Sequence, residues 1–350
     1  MVVLGNTPKT THAGVEARTG ALRALCVAAA LGATLHCSCK QEQTAAKEEM
    51  TPVTLGIGMV PLASLAIIAD TEGFFAREGV AVSLRKYASG KLALDAMLAG
   101  DVQAATAAVT PVVFSSFKRR DFAVVASIGS SNNDTRIVAR RDRGVARPQD
   151  LRGKRIATQE ASAVHFFLHM FLLKQGVPEK DVTIRNLAPA DFPQALARGE
   201  VDACSLREPL VSQAMALLGD NAVTFEEPEL HVEYHNLLLC NPFLEKRPET
   251  VRRLLRAFLA AETFAKQHPQ RAKAAVARAF AIGGPALDRL WPWLDLRVRL
   301  SQSLLLAMED QARWAVEGRW VENVAMPNYL KFVRLDAMLS VKPSAVSVIR

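Results

Sequence analysis

The sequence has few aromatic residues and no run of charges of one sign. Phe, Trp and Tyr together make up 6% of the 350 residues, which excludes the aromatic-rich platforms on which single-stranded nucleic acids stack. Basic and acidic side chains are interspersed, so the net charge of +8 does not indicate a nucleic-acid partner. No phosphate-binding loop, dinucleotide-binding glycine motif or Ser-His-Asp order occurs, and we expect no enzymatic activity.

Cysteine and histidine form no metal-binding pattern. Most of the five cysteines lie near the N-terminus, which leaves Cys204 and Cys240 in apolar, strand-like stretches. We expect two buried, unpaired thiols, and a disulfide between them is the alternative that an oxidising compartment would permit. His165 and His169 have a metal-capable i, i+4 spacing, but no acid stands beside them on an otherwise apolar predicted helix. We therefore expect neither a metal nor a cofactor.

The N-terminal segment has the parts of an export signal. Arg18 and Arg23 precede an apolar run over residues 24–35, which is too short for a permanent membrane span of about 20 residues. Cys39 follows this run after a small residue and resembles the lipidated cysteine of bacterial lipoproteins. The alternatives are lipidation of Cys37 and signal cleavage without a lipid.

A short unit occurs twice in the chain, at residues 96–104 and 195–203. Each copy combines the end of an amphipathic helix, a glycine suited to a left-handed helix stop, an acid and an apolar strand. The spacing between the copies is the size of one small α/β lobe. Since small ligands bind in clefts between such lobes, a two-lobed binder is the first hypothesis.

Strands and helices alternate along most of the chain, which predicts mostly parallel sheets with helices on both faces. Turn and stop residues predict helices over 62–77, 248–267 and 269–280 and strands over 80–87 and 135–140. The polar stretches near 130–134 and 229–236 are the expected hinge crossings. The predicted domains are a lipoprotein-type signal peptide (1–38), a polar tether (39–50), the first part of lobe 1 (51–134), an inserted lobe 2 (135–235) and a return to lobe 1 with C-terminal helices (236–350).

Hydroxyl side chains follow several predicted strands at or near helix N-caps. They are Ser64, Ser89, Thr110 and Ser162. Each alone is explained by capping, which contributes about 1 kcal/mol. Ligands of open α/β sheets sit beyond the carboxyl ends of the strands, where helix N-termini favour anions. The convergence of these four hydroxyls therefore predicts a small anionic or oxygen-rich ligand. Glu208 either clamps this ligand or forms a solvated pair with Arg207.

Several motifs resemble one family of transport proteins. They are the Gly73–Gly79 run with its two phenylalanines, residues 98–102, residues 151–157, and residues 199–203 with Glu208-Pro209. Together they are similar to ABC-transporter solute-binding proteins of the nitrate/sulfonate/taurine group, over about residues 53–260. The resemblance implies a type II periplasmic-binding-protein fold, with a ligand cleft between two α/β lobes.

The resemblance also implies which residues line the pocket. They are Leu62, Ser64, Ser89, Gly90, Thr110, Ser162, His165 and Glu208. The family often has an aromatic residue after its Glu-Pro pair, where this chain has Leu210, which leaves room for a larger or more apolar solute.

The expected function is that of an extracytoplasmic receptor. It would be a monomer, anchored by a lipid on the periplasmic side of a bacterial membrane, that binds a sulfonate-, nitrate- or taurine-like solute and delivers it to an ABC permease. One alternative is an enzyme on the same fold, of the thiamine-pyrimidine or menaquinone-pathway type. Another is a periplasmic sensing partner.

Overall fold

The computed structural model describes residues 50–228, 230–322 and 325–349. The expected signal peptide, with Cys37 and Cys39, lies outside the described residues. The described residues, from Met50 onward, form one compact unit, which contains two five-stranded sheets.

The first half of the first lobe alternates strands and helices. Its elements are β1 (Thr51–Gly58), α1 (Ser64–Thr71), α2 (Phe74–Arg77), β2 (Val80–Tyr87), α3 (Gly90–Ala99), β3 (Ala104–Ala108), α4 (Val109–Ser116) and β4 (Phe122–Ser131). The helix expected over 62–77 is divided in two, because Gly73 adopts a left-handed φ of 70° between α1 and α2.

The second lobe is built around the other sheet. Its elements are β5 (Thr135–Arg140), β6 (Arg155–Thr158), α5 (Ala163–Lys174), β7 (Thr183–Asn186), α6 (Phe192–Ala197), β8 (Ala203–Arg207), α7 (Leu210–Leu218) and β9 (Ala222–Phe225). Separate apolar clusters cover the two faces of this sheet, one around Phe171 and the other around Phe192.

The chain then returns to the first sheet and continues as helices. These elements are β10 (Glu233–Cys240), α8 (Asn241–Lys246), α9 (Pro248–Gln267), α10 (Pro269–Phe280), α11 (Gly284–Leu290), α12 (Gln302–Glu317) and α13 (Asp336–Val341). Of these helices, α9 packs on α1 and α12 packs on α4. No helix in the described part of the chain has both the length and the apolarity that a membrane span needs.

Both sheets have the same architecture. The strand order is β2-β1-β3-β10-β4 in the first and β7-β6-β8-β5-β9 in the second. In each sheet one strand, β10 or β5, pairs antiparallel with both of its neighbours, while the remaining strands share one direction. The carboxyl ends of the parallel strands consequently converge at one edge of each sheet.

The repeated sequence unit is a helix stop in both lobes. Gly100 and Gly199 have φ values of 90° and 71°. In each copy the glycine N–H and the next N–H donate to carbonyls three and five residues back, as in a Schellman cap. The unit therefore ends α3 and α6 and directs the chain into β3 and β8.

The buried edge strand β4 is covered by the C-terminal segment. Every residue of β4 is buried although the strand lies at the end of the sheet. Single bridges join Ser127 to Arg299 and Ser130 to Asp295, so the chain after α11 closes the open edge. This arrangement holds the C-terminal helices against the first lobe.

Candidate functional site

A small cavity lies between the lobes where the strand ends converge. Its volume is about 60 Å³, and we call it the cleft. The first lobe lines it after β1, β2 and β3 and at the start of β10, and the second lobe lines it after β6 and β8. At about 10–15 Å³ per water-sized group, the cleft holds roughly four to six atoms of that size.

The first wall of the cleft is the start of α3. The Ser89 side chain caps this helix and accepts from the Leu92 N–H at 3.3 Å. A Cβ at Gly90 would lie 3.1 Å from the Cα atom of Ala107 and 3.2 Å from the carbonyl oxygen of Thr106. The close packing of α3 on β3 therefore favours glycine here, and it brings the first turn of α3 to the cleft.

The opposite wall is the start of α5, which also lines the cleft through Ser162. The Ser162 hydroxyl donates backward to the Gln159 carbonyl oxygen at 2.6 Å and does not cap the helix. The preceding residue, Ala161, has a left-handed φ of 56°. The first N–H groups of α5 are therefore left for a ligand or for water, and their partial positive charge favours an anion.

His235 on β10 is a buried cleft residue with an unused hydrogen-bonding capacity. Its side chain lines the cleft close to Gly90, and the residue is 1% exposed. Among the described residues neither ring nitrogen has a hydrogen-bond partner. Burial, together with the charge of Arg207, lowers the pKa of His235 to about 3. The ring is therefore neutral and offers a ligand one donor and one acceptor.

Arg207 contributes little free positive charge to the cleft, because two carboxylates hold it. Its guanidinium lies 2.9 Å from Asp134 and 3.3 Å from Glu233, and it also donates to the Thr135 hydroxyl at 2.9 Å. Burial raises the pKa of Asp134. Burial acts in the same way on Glu233, but His231 and Arg207 outweigh it and lower the pKa of that carboxyl. Asp134 and Glu233 lie in the two segments that cross between the sheets, so their ion pairs with Arg207 link these segments at the expected hinge.

The structure brings Ser89, Gly90 and Ser162 together in the cleft. Leu62 and Ser64 are fully buried in the first lobe, and the Ser64 hydroxyl donates to the carbonyl oxygen of Pro61. These two residues shape the region after β1 and do not line the cavity itself.

Thr110, His165 and Glu208 lie away from the cleft. The Thr110 hydroxyl donates to the Gln311 side chain on α12 at 2.7 Å. His165 packs against Trp314, with ring centroids 5.0 Å apart. Glu208 accepts from the Ser212 N–H at 3.2 Å at the start of α7, and its side chain lines a separate groove of about 610 Å³.

His235 is not among the ligand contacts predicted from the sequence. The available signal was a histidine just before the apolar run Leu237–Cys240 of the return strand. Placing it in the cleft requires the pairing of His235 with Ala108 of β3, which joins residues far apart in the sequence.

A larger groove of about 750 Å³ lies between α5 and α12. Three carboxylates line it, those of Glu179, Asp310 and Glu317, so its charge opposes binding of an anion. The cleft is the better candidate for the site implied by the fold, because it is where strand ends and helix N-termini of both lobes meet. In the described ranges no group of three or more His, Cys, Asp or Glu residues could hold a metal ion. Cys204 and Cys240 are both free thiols.

Two helix-flanked, mostly parallel sheets with a cleft at their strand ends define a two-lobed protein of the periplasmic-binding-protein class. The chain belongs to the NMT1/THI5-like family, whose model matches residues 63–272, well over half of the sequence. The family resemblance expected from the sequence motifs is thereby confirmed.

One relative is the taurine-binding periplasmic protein of Escherichia coli (strain K12). It is 28% identical over 206 residues, which cover 56% of this chain and 62% of that protein. The matched region thus spans less than two thirds of this relative's length.

Two solved structures share the fold. The alkanesulfonate-binding protein SsuA from Xanthomonas axonopodis pv. citri, bound to MOPS, has a TM-score of 0.72 at 20% identity and covers 82% of this chain and 99% of its own. The periplasmic nitrate-binding protein NrtA from Synechocystis PCC 6803 has a TM-score of 0.70 at 14% identity, with 85% and 89% covered. These matches confirm the predicted fold class.

Proposed function

We propose that the protein is an extracytoplasmic solute-binding receptor of an ABC importer. It binds a small anionic or oxygen-rich solute of the sulfonate, taurine or nitrate kind by closure of the two lobes, and it delivers the solute to a membrane permease. The names of the relatives support this class of solute and a periplasmic location.

The observation that carries the proposal is the unused polar capacity inside the cleft. His235 is neutral, buried and without a partner among the described residues, and it lies at the cavity into which Ser162 brings the start of α5. An oxyanion head group would accept from the helix N–H groups and from the imidazole N–H. Since Arg207 is already held by two carboxylates and Lys91 of the cleft lining pairs with Asp95 at 2.7 Å, neutral donors and helix termini supply the binding, which suits a singly charged head group.

Calorimetric titration tests the proposal with taurine, ethanesulfonate and nitrate, and with the uncharged dimethyl sulfone for comparison. At least one anion should bind at a single site and raise Tm as its concentration rises, and it should be recovered chemically unchanged. Conversion of the solute to a product, or no binding of any anion by folded protein, would count against a receptor.

A matched pair of variants locates the site. His235→Asn should weaken binding of that anion about tenfold or more, since a buried hydrogen bond to a charged group contributes about 1.5–3 kcal/mol. His268→Asn changes an exposed histidine that precedes α10 and should leave the affinity unchanged. Equal affinities of the two variants would place the solute elsewhere.

We infer further that Cys39 carries a lipid anchor. The sequence order of basic residues, short apolar run and cysteine supports this step. Expression in a bacterial host with labelled palmitate should label the protein and its Cys37→Ala variant, but not Cys39→Ala. Labelling that is lost only in Cys37→Ala would assign the lipid to Cys37. An unlabelled protein would indicate signal cleavage without a lipid.

A further inference from the structure

The groove between α5 and α12 is a second concave surface shared by both lobes. One wall is α5 with Phe166 and Met170, and the facing wall is α12 with Leu306 and Trp314. Leu230, His231 and Val232, which precede β10, and Tyr234 on β10 form part of its lining. Its volume of about 750 Å³ lies within the range of about 300–1,000 Å³ that small-molecule sites occupy.

The groove is acidic in a basic protein. Glu179, Asp310 and Glu317 line it, and Arg313 is the guanidinium among the lining residues. Asp310 pairs with Arg313, and Glu179 meets His169 at 2.9 Å. The lining carries three carboxylates against one guanidinium, whereas the whole chain has a net charge of +8. This local reversal of sign indicates a positively charged occupant.

Aromatic and apolar groups provide the rest of the surface. Trp314 and Phe166 pack edge to face with ring centroids 5.2 Å apart, and Tyr234 lies beside them in the lining. Leu306 and Val232 are 51% and 44% exposed, so they leave large apolar side chains open to solvent in the groove. Trp314, Phe166 and Tyr234 are each 6% exposed, so Leu306 and Val232 supply most of the accessible apolar surface.

We propose that the groove binds an organic cation with an apolar body, such as an aromatic or alkyl amine. The ammonium group lies near Asp310 and Glu317, and the apolar body packs against Leu306 and Val232, beside Trp314. A site of this kind differs in position and in charge from the solute cleft, and its existence does not depend on the proposed receptor function.

Titration calorimetry at low ionic strength tests the site with phenethylammonium as the probe. Its neutral analogue 2-phenylethanol controls for the apolar body, and 2-phenylethanesulfonate controls for the sign of the charge. Phenethylammonium should bind at one site, about tenfold or more tighter than either analogue, and 0.5 M NaCl should weaken it. Equal affinities for the cation and the alcohol would overturn the proposal.

The paired variants Asp310→Asn with Glu317→Gln should weaken phenethylammonium binding about tenfold. Glu309→Gln on the same helix, outside the groove lining, should leave it unchanged. An NMR shift of the Trp314 indole N–H, assigned with Trp314→Phe, should follow the titration. An unchanged affinity in the double variant, or a loss of equal size in Glu309→Gln, would place the cation elsewhere.

The receptor function and the cation site fail separately. His235→Asn should retain phenethylammonium binding while it loses the cleft anion. A protein that binds phenethylammonium but none of the anions refutes the receptor proposal alone. One that binds an anion but no cation refutes the groove proposal alone.

Discussion

The N-terminus of α5 and its flank lie in two different environments. The start of the helix, at Ser162, faces the cleft, where His235 is neutral and Arg207 is held by carboxylates. Further along α5, His169 lies 2.9 Å from the carboxylate of Glu179 in the acidic groove, and Trp314 lines the facing wall of that groove. A single helix thus borders a small cavity whose two cations, Lys91 and Arg207, are paired with carboxylates, and a large groove with three carboxylates in its lining.

This difference shows that the position along a helix, more than residue type, sets the ligand chemistry. The N-terminus of α5 presents N–H groups and partial positive charge to the cleft. Its flank presents only side chains to the groove, so the carboxylates of Glu179, Asp310 and Glu317 determine the charge there. Histidines occur in both places, but His235 is deprotonated by burial, whereas His169 lies beside a carboxylate.

The largest expected effect concerns the hinge network beside the cleft. Arg207→Met would leave Asp134 and Glu233 as buried carboxylates without their cation, which should lower the free energy of unfolding by about 3–5 kcal/mol at pH 7. Urea denaturation followed by circular dichroism measures the loss. Arg185→Met, on the exposed side of β7, should cost under about 0.5 kcal/mol.

The same variant has a defined pH dependence. Burial raises the pKa of Asp134, and removal of Arg207 would raise it further. A carboxyl whose pKa is raised on folding loses stability as the pH rises through that pKa, so the defect of Arg207→Met should shrink from pH 7 to pH 5. A defect that grows on acidification would contradict this assignment.

The next effect is the pH dependence of the unfolding free energy that His235 of the cleft causes. The pKa of His235 falls from 6.5 to about 3 on folding, so its contribution to stability is present above pH 6.5 and is lost as the pH falls towards 3. His235→Asn should therefore reduce the slope of unfolding free energy between pH 6.5 and 4.5 by up to about 1.4 kcal/mol per pH unit. Urea titrations across this range measure the slope, and His268→Asn should leave it as in the unmodified protein.

A smaller effect belongs to the groove. Burial acts to raise the pKa of Glu179, but His165 and His169 outweigh it and lower the pKa from 4.5 to about 2. This stability is present above pH 4.5 and is lost as the pH falls towards 2. Glu179→Gln should remove about 1–2 kcal/mol of that acid-dependent loss, after allowance for partial exposure. Glu245→Gln, at an exposed position, should change nothing. Equal unfolding free energies of Glu179→Gln and the unmodified protein above pH 5 would contradict the assignment.

Much of the fold could be predicted from the sequence, because local signals mark its elements. The strands over 80–87 and 135–140 and the helices over 248–267 and 269–280 have the predicted bounds. Pro248 and Pro269 stand at helix starts, where their missing N–H is not needed. The break at Gly73 was not predicted, since an isolated glycine in an apolar helical pattern does not reveal its φ.

The cleft could be predicted only in part, because its geometry depends on contacts between distant segments. The positions after predicted strands indicated Ser89 and Ser162 as ligand contacts, and both residues line the cavity. The side chain of Thr110 turns instead to Gln311 on α12, and no local pattern records how a helix is rotated about its axis. His235 reaches the cleft through the antiparallel pairing of β10, which the sequence does not specify.

The smallest effect distinguishes a cap that also contacts the ligand from one that does not. Ser89 caps α3 at the cleft, and Ser301 caps α12, each accepting from a backbone N–H at 3.3 Å. Ser89→Ala and Ser301→Ala should each lower the free energy of unfolding by about 1 kcal/mol, because each removes the side-chain acceptor of a helix start. Only Ser89→Ala should also lower the affinity of the cleft for its anion by a few fold, as measured by calorimetry. Equal anion affinities of the two variants would reduce Ser89 to a helix cap and leave recognition to His235 and the first turn of α5.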